Sequence, residues 1–151
     1  MKDVVIVSGV RTPIGRFGGT LKDVPVYKLA GLVLNEAAGR AGVKPDDVDD
    51  VIMAQSYQNG ECANGARMAL LEAGWPVEVP GVTIDRRCCS GLDAVFFGVM
   101  KIQTDNADII VAGGMDSMSQ AELYYNGLSW PKTCFRKNIR RMRFNGIYCY
   151  L

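Results

Sequence analysis

Four short apolar runs, VVIV (4–7), VIMA (51–54), GVTID (81–85) and IIVA (109–112), recur along the chain, and segments of helical period separate them. That alternation constrains the fold more than any other feature of the sequence. Short, nearly continuous apolar runs suit strands buried on both faces, and helices between them supply the covering layers. The expected class is therefore α/β, layered around a largely parallel sheet.

The intervening segments fit this plan. Val26, Leu29, Ala30, Val33, Ala37 and Ala41 recur at helical spacing, with Pro25 near the start and Gly42 just past the end. The polar connection KPDDVDD has room for one short helical turn. Asn64 is placed to cap a second helix, ARMALLEA, which stops at Gly74, Trp75 and Pro76. A third helix puts Leu92, Val95, Phe96 and Val99 on one face, and Gly113 and Gly114 close the fourth strand. With 151 residues, nearly half of them apolar, the chain can bury one domain-sized core. No apolar run approaches the ~20 residues of a membrane span, and the start does not read as a signal peptide. A cytoplasmic setting without membrane association is expected.

The third strand runs into IDRRCCSGLDA (84–94), where two adjacent cysteines sit at a strand-to-helix junction. Unpaired N–H groups at a helix start favour a thiolate and can hold an oxyanion. Arg86 and Arg87 add positive charge nearby, and small Ser90 and Gly91 leave room for a bulky substrate. Cys88 is thus a candidate nucleophile. A packed, inert thiol is the competing reading, and it is the one assigned to Cys62, Cys89, Cys134 and Cys149. The sequence has no histidine and no closely spaced cysteine pair of the zinc type. Cys-His and Ser-His mechanisms confined to this chain are excluded, and no metal is expected.

The string RRCCSGLDA resembles the nucleophile segment of the thiolase family, Cys-x-Ser-Gly-Leu followed by a helix. VVIVSGVRTPIGRFGG is similar to that family's opening strand and loop, NGECANGAR to its segment entering the second helix, and ADIIVAGGMDSMS to its Gly-Gly-x-Glu-Ser-Met-Ser loop. Together they cover about residues 3–120. The resemblance implies an incomplete N-terminal half of the thiolase fold, a layered α/β arrangement with a mixed, mostly parallel sheet, and the acyl-CoA C-acyltransferase reaction of fatty acid metabolism, in either direction. Cys88 would carry the acyl group as a thioester, its backbone N–H contributing to the oxyanion hole. Met115 would border the acyl pocket, although a structural role competes. Acyl-CoA and CoA would be substrates, with no resident cofactor. The third strand would lie at a homo-oligomer interface, in a dimer or tetramer. Arg11 to Gly19 lacks phosphate-loop spacing and is assigned a structural role, while Asn64 and Arg67 would fix a helix start and an interface. Asp85 and Arg86 depart from the Asn-led version of this segment.

The family's activating His, in a Gly-His-Pro motif, and its second Cys, in a Cys-x-Gly-Gly motif, have no counterpart in these 151 residues. Full turnover by this chain alone is not expected. Residues 1–124 are expected to form a truncated thiolase N-terminal domain and 125–151 a divergent basic tail. All 16 acidic residues precede residue 132, against 11 of the 17 Lys and Arg. The tail reads either as an altered terminal sequence or as a polyanion-binding segment, although no specific nucleic-acid motif is present. Two other functions stay open: a non-catalytic module pairing with a full-length thiolase, and a condensing enzyme of the ketoacyl-synthase kind.

Overall fold

The computed structural model of the chain describes residues 2–122 and 147–150. The expected boundary at 124/125, the basic stretch 132–143 and Cys134 lie outside the described residues. Helix α1 spans Val26–Ala41 and ends at Gly42, whose φ of 68° lets its N–H turn back onto the last carbonyls. A single 3-10 turn, Pro45–Asp47, leads into strand β1, Asp50–Ala54, which is buried along its whole length. Helix α2, Gly65–Glu72, starts at Asn64, whose side chain accepts from Arg67 N at 3.1 Å. Asn64 Nδ2 donates to Gly81 O and Thr83 Oγ1 donates to Asn64 Oδ1, so the cap also ties α2 to strand β2, Gly81–Ile84. Helix α3, Ser90–Gln103, then leads to β3, Ile110–Ser117.

Strands β1, β2 and β3 are parallel, and β4, Ile147–Tyr150, runs antiparallel to β3, giving the order β2-β1-β3-β4. The α/β class with a mixed, mostly parallel sheet is thus observed. Leu34, Val51, Met53, Ala66, Leu70 and Met115 pack together in the core between α1, α2 and the sheet.

Three expectations need correction. Residues 4–7 form no strand, and Val5, Ile6 and Val7 are 74%, 82% and 70% exposed. An apolar run becomes a strand only when a neighbour accepts its ladder, and among the described residues none pairs with it. The fourth strand does not close at Gly113 and Gly114 but continues through them, because both pair with β1 opposite Met53 and Ala54. Helix α3 turns its small residues to the sheet: Gly91, Ala94 and Gly98 are buried, whereas Leu92 and Phe96 are 63% and 55% exposed. A Cβ on Gly98 would come within 3.0 Å of Ile110 Cγ2, so the helix lies too close to β3 for larger side chains.

Candidate active site

The carboxyl ends of the parallel strands are where open α/β sheets place their ligands, and the cysteine pair lies there, just beyond β2. A tight turn joins β2 to α3. Asp85 Oδ1 accepts from Arg87 N at 2.8 Å, and Arg87 takes a left-handed conformation at φ 53°. Such a backbone costs a β-carbon-bearing residue about 1–2 kcal/mol and persists where surrounding bonds hold it. Here Ser90 N donates to Arg87 O at 3.0 Å and Ser90 Oγ donates to the same carbonyl at 2.7 Å. Ser90 Oγ also accepts from Arg86 N, and Ser56 Oγ donates to Arg87 O at 2.9 Å. Ser90 is buried, so it fastens the turn and does not open space for a substrate.

The strained residue immediately precedes Cys88, whose side chain is exposed. The backbone N–H of Cys88 makes no hydrogen bond among the described residues, whereas those of Cys89 and Ser90 return to Arg86 O and Arg87 O. Cys88 therefore offers a reachable thiol and a free N–H at one point. Cys89, also exposed, is the helix cap residue. Cys62 is buried, and burial pushes its thiol up from its ordinary value, as suits a packing cysteine.

The two arginines do not serve as free charges beside the thiol. Arg86 Nε lies 2.9 Å from Asp93 Oδ2, with Nη1 donating to Oδ1 at 3.1 Å. Arg87 Nη1 lies 3.0 Å from Asp85 Oδ2 and also donates to Ser56 O, while its guanidinium sits 5.8 Å from the Tyr57 ring centre. Both brace the turn. Met115 is a core side chain, and a Cβ on Gly65 would overlap its methyl group. The Arg11 to Gly19 loop is tied to the segment after β3 through Gly18 N donating to Ser119 Oγ at 3.0 Å, a structural arrangement.

Sequence reasoning missed Asp116. Its Oδ1 accepts from Ser56 N at 3.0 Å and Tyr57 N at 2.9 Å, holding the loop that in turn clasps Arg87. The signal available was an acidic residue inside an otherwise apolar strand. Burial raises the Asp116 carboxyl above its ordinary value, the Tyr57 and Ser56 N–H groups oppose that, and the Asp85 charge adds to it. A carboxyl whose folded pKa lies above its unfolded one binds its proton more tightly in the folded state. Stability then falls as pH rises from the unfolded value through the folded one. Asp116→Asn keeps the acceptor and removes the charge, so this fall should flatten in urea denaturation series begun near pH ~4. Asp116→Ala orphans two N–H groups and should cost about 1–3 kcal/mol at neutral pH. An unchanged pH slope in the Asn variant would assign the dependence to another group.

Among the described residues, no three His, Cys, Asp or Glu side chains gather to hold a metal, and no helix is long and apolar enough to cross a membrane. Residues 4–142 match the family model described as "Thiolase, N-terminal domain". The chain is 47% identical over 121 residues to an acetyl-CoA acetyltransferase of Cupriavidus necator, covering 80% of this chain and 31% of that protein. An acetyl-CoA acetyltransferase of Syntrophomonas wolfei is 43% identical over 129 residues, covering 85% and 33%. The crystal structure of the Bacillus anthracis acetyl-CoA acetyltransferase superposes with a TM-score of 0.80 at 40% identity, covering 95% of this chain and 34% of that one. The chain thus spans about a third of the length of the curated relatives it matches.

Proposed function

Because the chain belongs to the thiolase family, through its N-terminal domain, we propose that it is the acyl-accepting part of a thiolase-type acyltransferase acting on acyl-CoA. The observation that carries this reading is the exposed Cys88 thiol beside its own N–H, which has no hydrogen-bond partner among the described residues, on a turn fastened by Ser90, Ser56 and Asp85. In the proposed step the Cys88 thiol gives its proton to water, and the resulting thiolate attacks the thioester carbonyl carbon of acyl-CoA. The new S–C bond forms as the carbonyl electrons move onto oxygen, where the Cys88 N–H donates to the oxyanion. Collapse of that intermediate breaks the bond to the CoA sulfur, which leaves as a thiolate and takes a proton from water. The acyl group remains on Cys88 as a thioester, ready for transfer to CoA or to the α-carbon of a second acyl-CoA. No histidine occurs among the 151 residues, so no group here is assigned the carbon deprotonation of the condensing direction, and the reading covers acyl transfer to Cys88. Intact mass after incubation with acetyl-CoA, followed by peptide mapping, tests it: one acetyl group on the peptide carrying Cys88 is expected. A folded protein that stays unmodified refutes it.

Self-association belongs to the same proposal. Val82 on β2, with Leu92, Phe96, Phe97 and Met100 on α3, leaves bulky apolar side chains exposed along one side of the molecule, where β2 is an edge strand. Exposed apolar surface of this kind marks an interaction face. Sedimentation velocity should show a concentration-dependent dimer that Phe96→Asp shifts to monomer. A wild-type chain monomeric at all concentrations would remove the dimer from the reading.

A further inference from the structure

We infer that Ser56, held by Asp116, is a positioning residue that aims the Cys88 N–H at the place where the oxyanion develops. The inference rests on acyl transfer at Cys88. Neither residue is assigned a contact with substrate; both act through the peptide unit that joins Arg87 to Cys88. A peptide unit is planar and, without proline, almost always trans, so its N–H points opposite to its C=O. Whatever fixes the Arg87 carbonyl therefore fixes the Cys88 N–H. Arg87 O accepts from Ser90 N at 3.0 Å, from Ser90 Oγ at 2.7 Å and from Ser56 Oγ at 2.9 Å. The two donors of Ser90 belong to the same turn and would follow it if it rotated. Ser56 lies just past β1, 31 positions earlier in the chain, and its hydroxyl is a fixed point outside the turn. Hydrogen bonds to a peptide oxygen also polarise the amide and strengthen its N–H as a donor.

Ser56 is itself held where the sheet lets go of the chain. The ladder between β1 and β3 ends at Ala54 and Gly114, and Gln55 N donates to Ile84 O at 3.0 Å. Two residues past Gly114, Asp116 takes over: its Oδ1 accepts from Ser56 N at 3.0 Å and from Tyr57 N at 2.9 Å. Ser56 O accepts from Arg87 Nη1, and the Tyr57 ring centre lies 5.8 Å from the same guanidinium. Ser56 is thus fixed through both its N–H and its C=O, and its hydroxyl carries that rigidity to Arg87 O. Arg87 needs an outside hold, because its φ of 53° is a strained conformation that lasts only where the surroundings maintain it. Removing the hydroxyl lets the peptide between Arg87 and Cys88 tilt, while the Cys88 thiol stays exposed.

Two rates at Cys88 test this on the 151-residue chain, read by peptide mapping in a Cys89→Ala background. Acetylation by acetyl-CoA passes through an oxyanion and needs the N–H correctly aimed, whereas alkylation by iodoacetamide forms no oxyanion and needs only the thiolate. Ser56→Ala should slow acetylation by about ten- to a hundredfold, as a misaimed group does, and leave alkylation within about twofold. Ser56→Thr, which keeps a hydroxyl, should restore most of the lost rate. Asp116→Ala should lower the ratio of the two rates as well. Added to Ser56→Ala it should lower that ratio little further, because Asp116 acts through the same hydroxyl. An unchanged ratio in Ser56→Ala would overturn the inference, and so would equal loss of both rates, which would mean a general disturbance of the turn. Full additivity in the double variant would overturn the link to Asp116. A parent that is alkylated but never acetylated would refute acyl transfer itself and this inference with it; failure of the inference alone shows as an acetylated parent whose ratio Ser56→Ala does not change.

Discussion

Cys88→Ala should abolish acetylation of the chain by acetyl-CoA, lowering the rate of CoA release by at least about a thousandfold, as loss of a covalent nucleophile does. The fold should survive, because the Cys88 side chain is exposed and none of the bonds that fasten the turn uses its sulfur. Thermal unfolding of the variant should therefore match the parent within the ±0.5 kcal/mol typical of surface substitutions. Cys89→Ala is the informative companion. Cys89 is also exposed, but its N–H already donates to Arg86 O at 3.3 Å, leaving no free donor of its own for a developing oxyanion. That variant should keep its acyl-enzyme. Acetylation that persists in Cys88→Ala, or that maps to Cys89 in the parent chain, would move the nucleophile and with it the proposed mechanism.

The sequence made legible those features that depend on neighbours along the chain. Pro25 and Gly42 bracket α1, Asn64 caps α2, and Cys88 falls at the junction of β2 and α3, all local signals. What it concealed depends on residues far apart. Gly113 and Gly114 look like a stop until their partners, Met53 and Ala54, are in place some sixty positions earlier. The amphipathic reading of α3 chose the larger apolar side chains for the core. Contact with β3 at Gly98 instead selects the small ones, and the stripe of Leu92 and Phe96 turns outward. Arg86 and Arg87 looked like a source of positive charge because composition does not reveal that Asp93 and Asp85 already engage them. The role of Asp116 was hidden for the same reason: its partners, Ser56 and Tyr57, lie on another loop. Apolar character at residues 4–7 was read correctly, but whether a run becomes a strand depends on its neighbour and not on the run.

Leu70→Ala should rank with the most damaging truncations in the fold, costing about 2–5 kcal/mol through lost burial and the cavity left behind. Leu70 is fully buried on α2 within the main core, and its Cδ2 lies 2.8 Å from where a β-carbon on Gly81 would stand. The leucine thus fills the space that glycine leaves at the start of β2. Native domains retain only about 5–15 kcal/mol, so the loss should lower the urea midpoint markedly without changing the slope. Leu71→Ala, at the exposed neighbouring position, should cost well under ~1 kcal/mol and controls for helix propensity. Gly81→Ala should destabilise the parent, because the new methyl meets Leu70. In the Leu70→Ala background that clash disappears, but Arg67 N and Ala66 C still stand at 3.1 and 3.2 Å from the new carbon. The double variant should therefore recover only part of the additive loss, a coupling that a double-mutant cycle resolves. Strict additivity would mean that α2 and β2 do not share this packing. Their joint then could not be what holds the carboxyl end of β2, and the turn that carries Cys88, against the core.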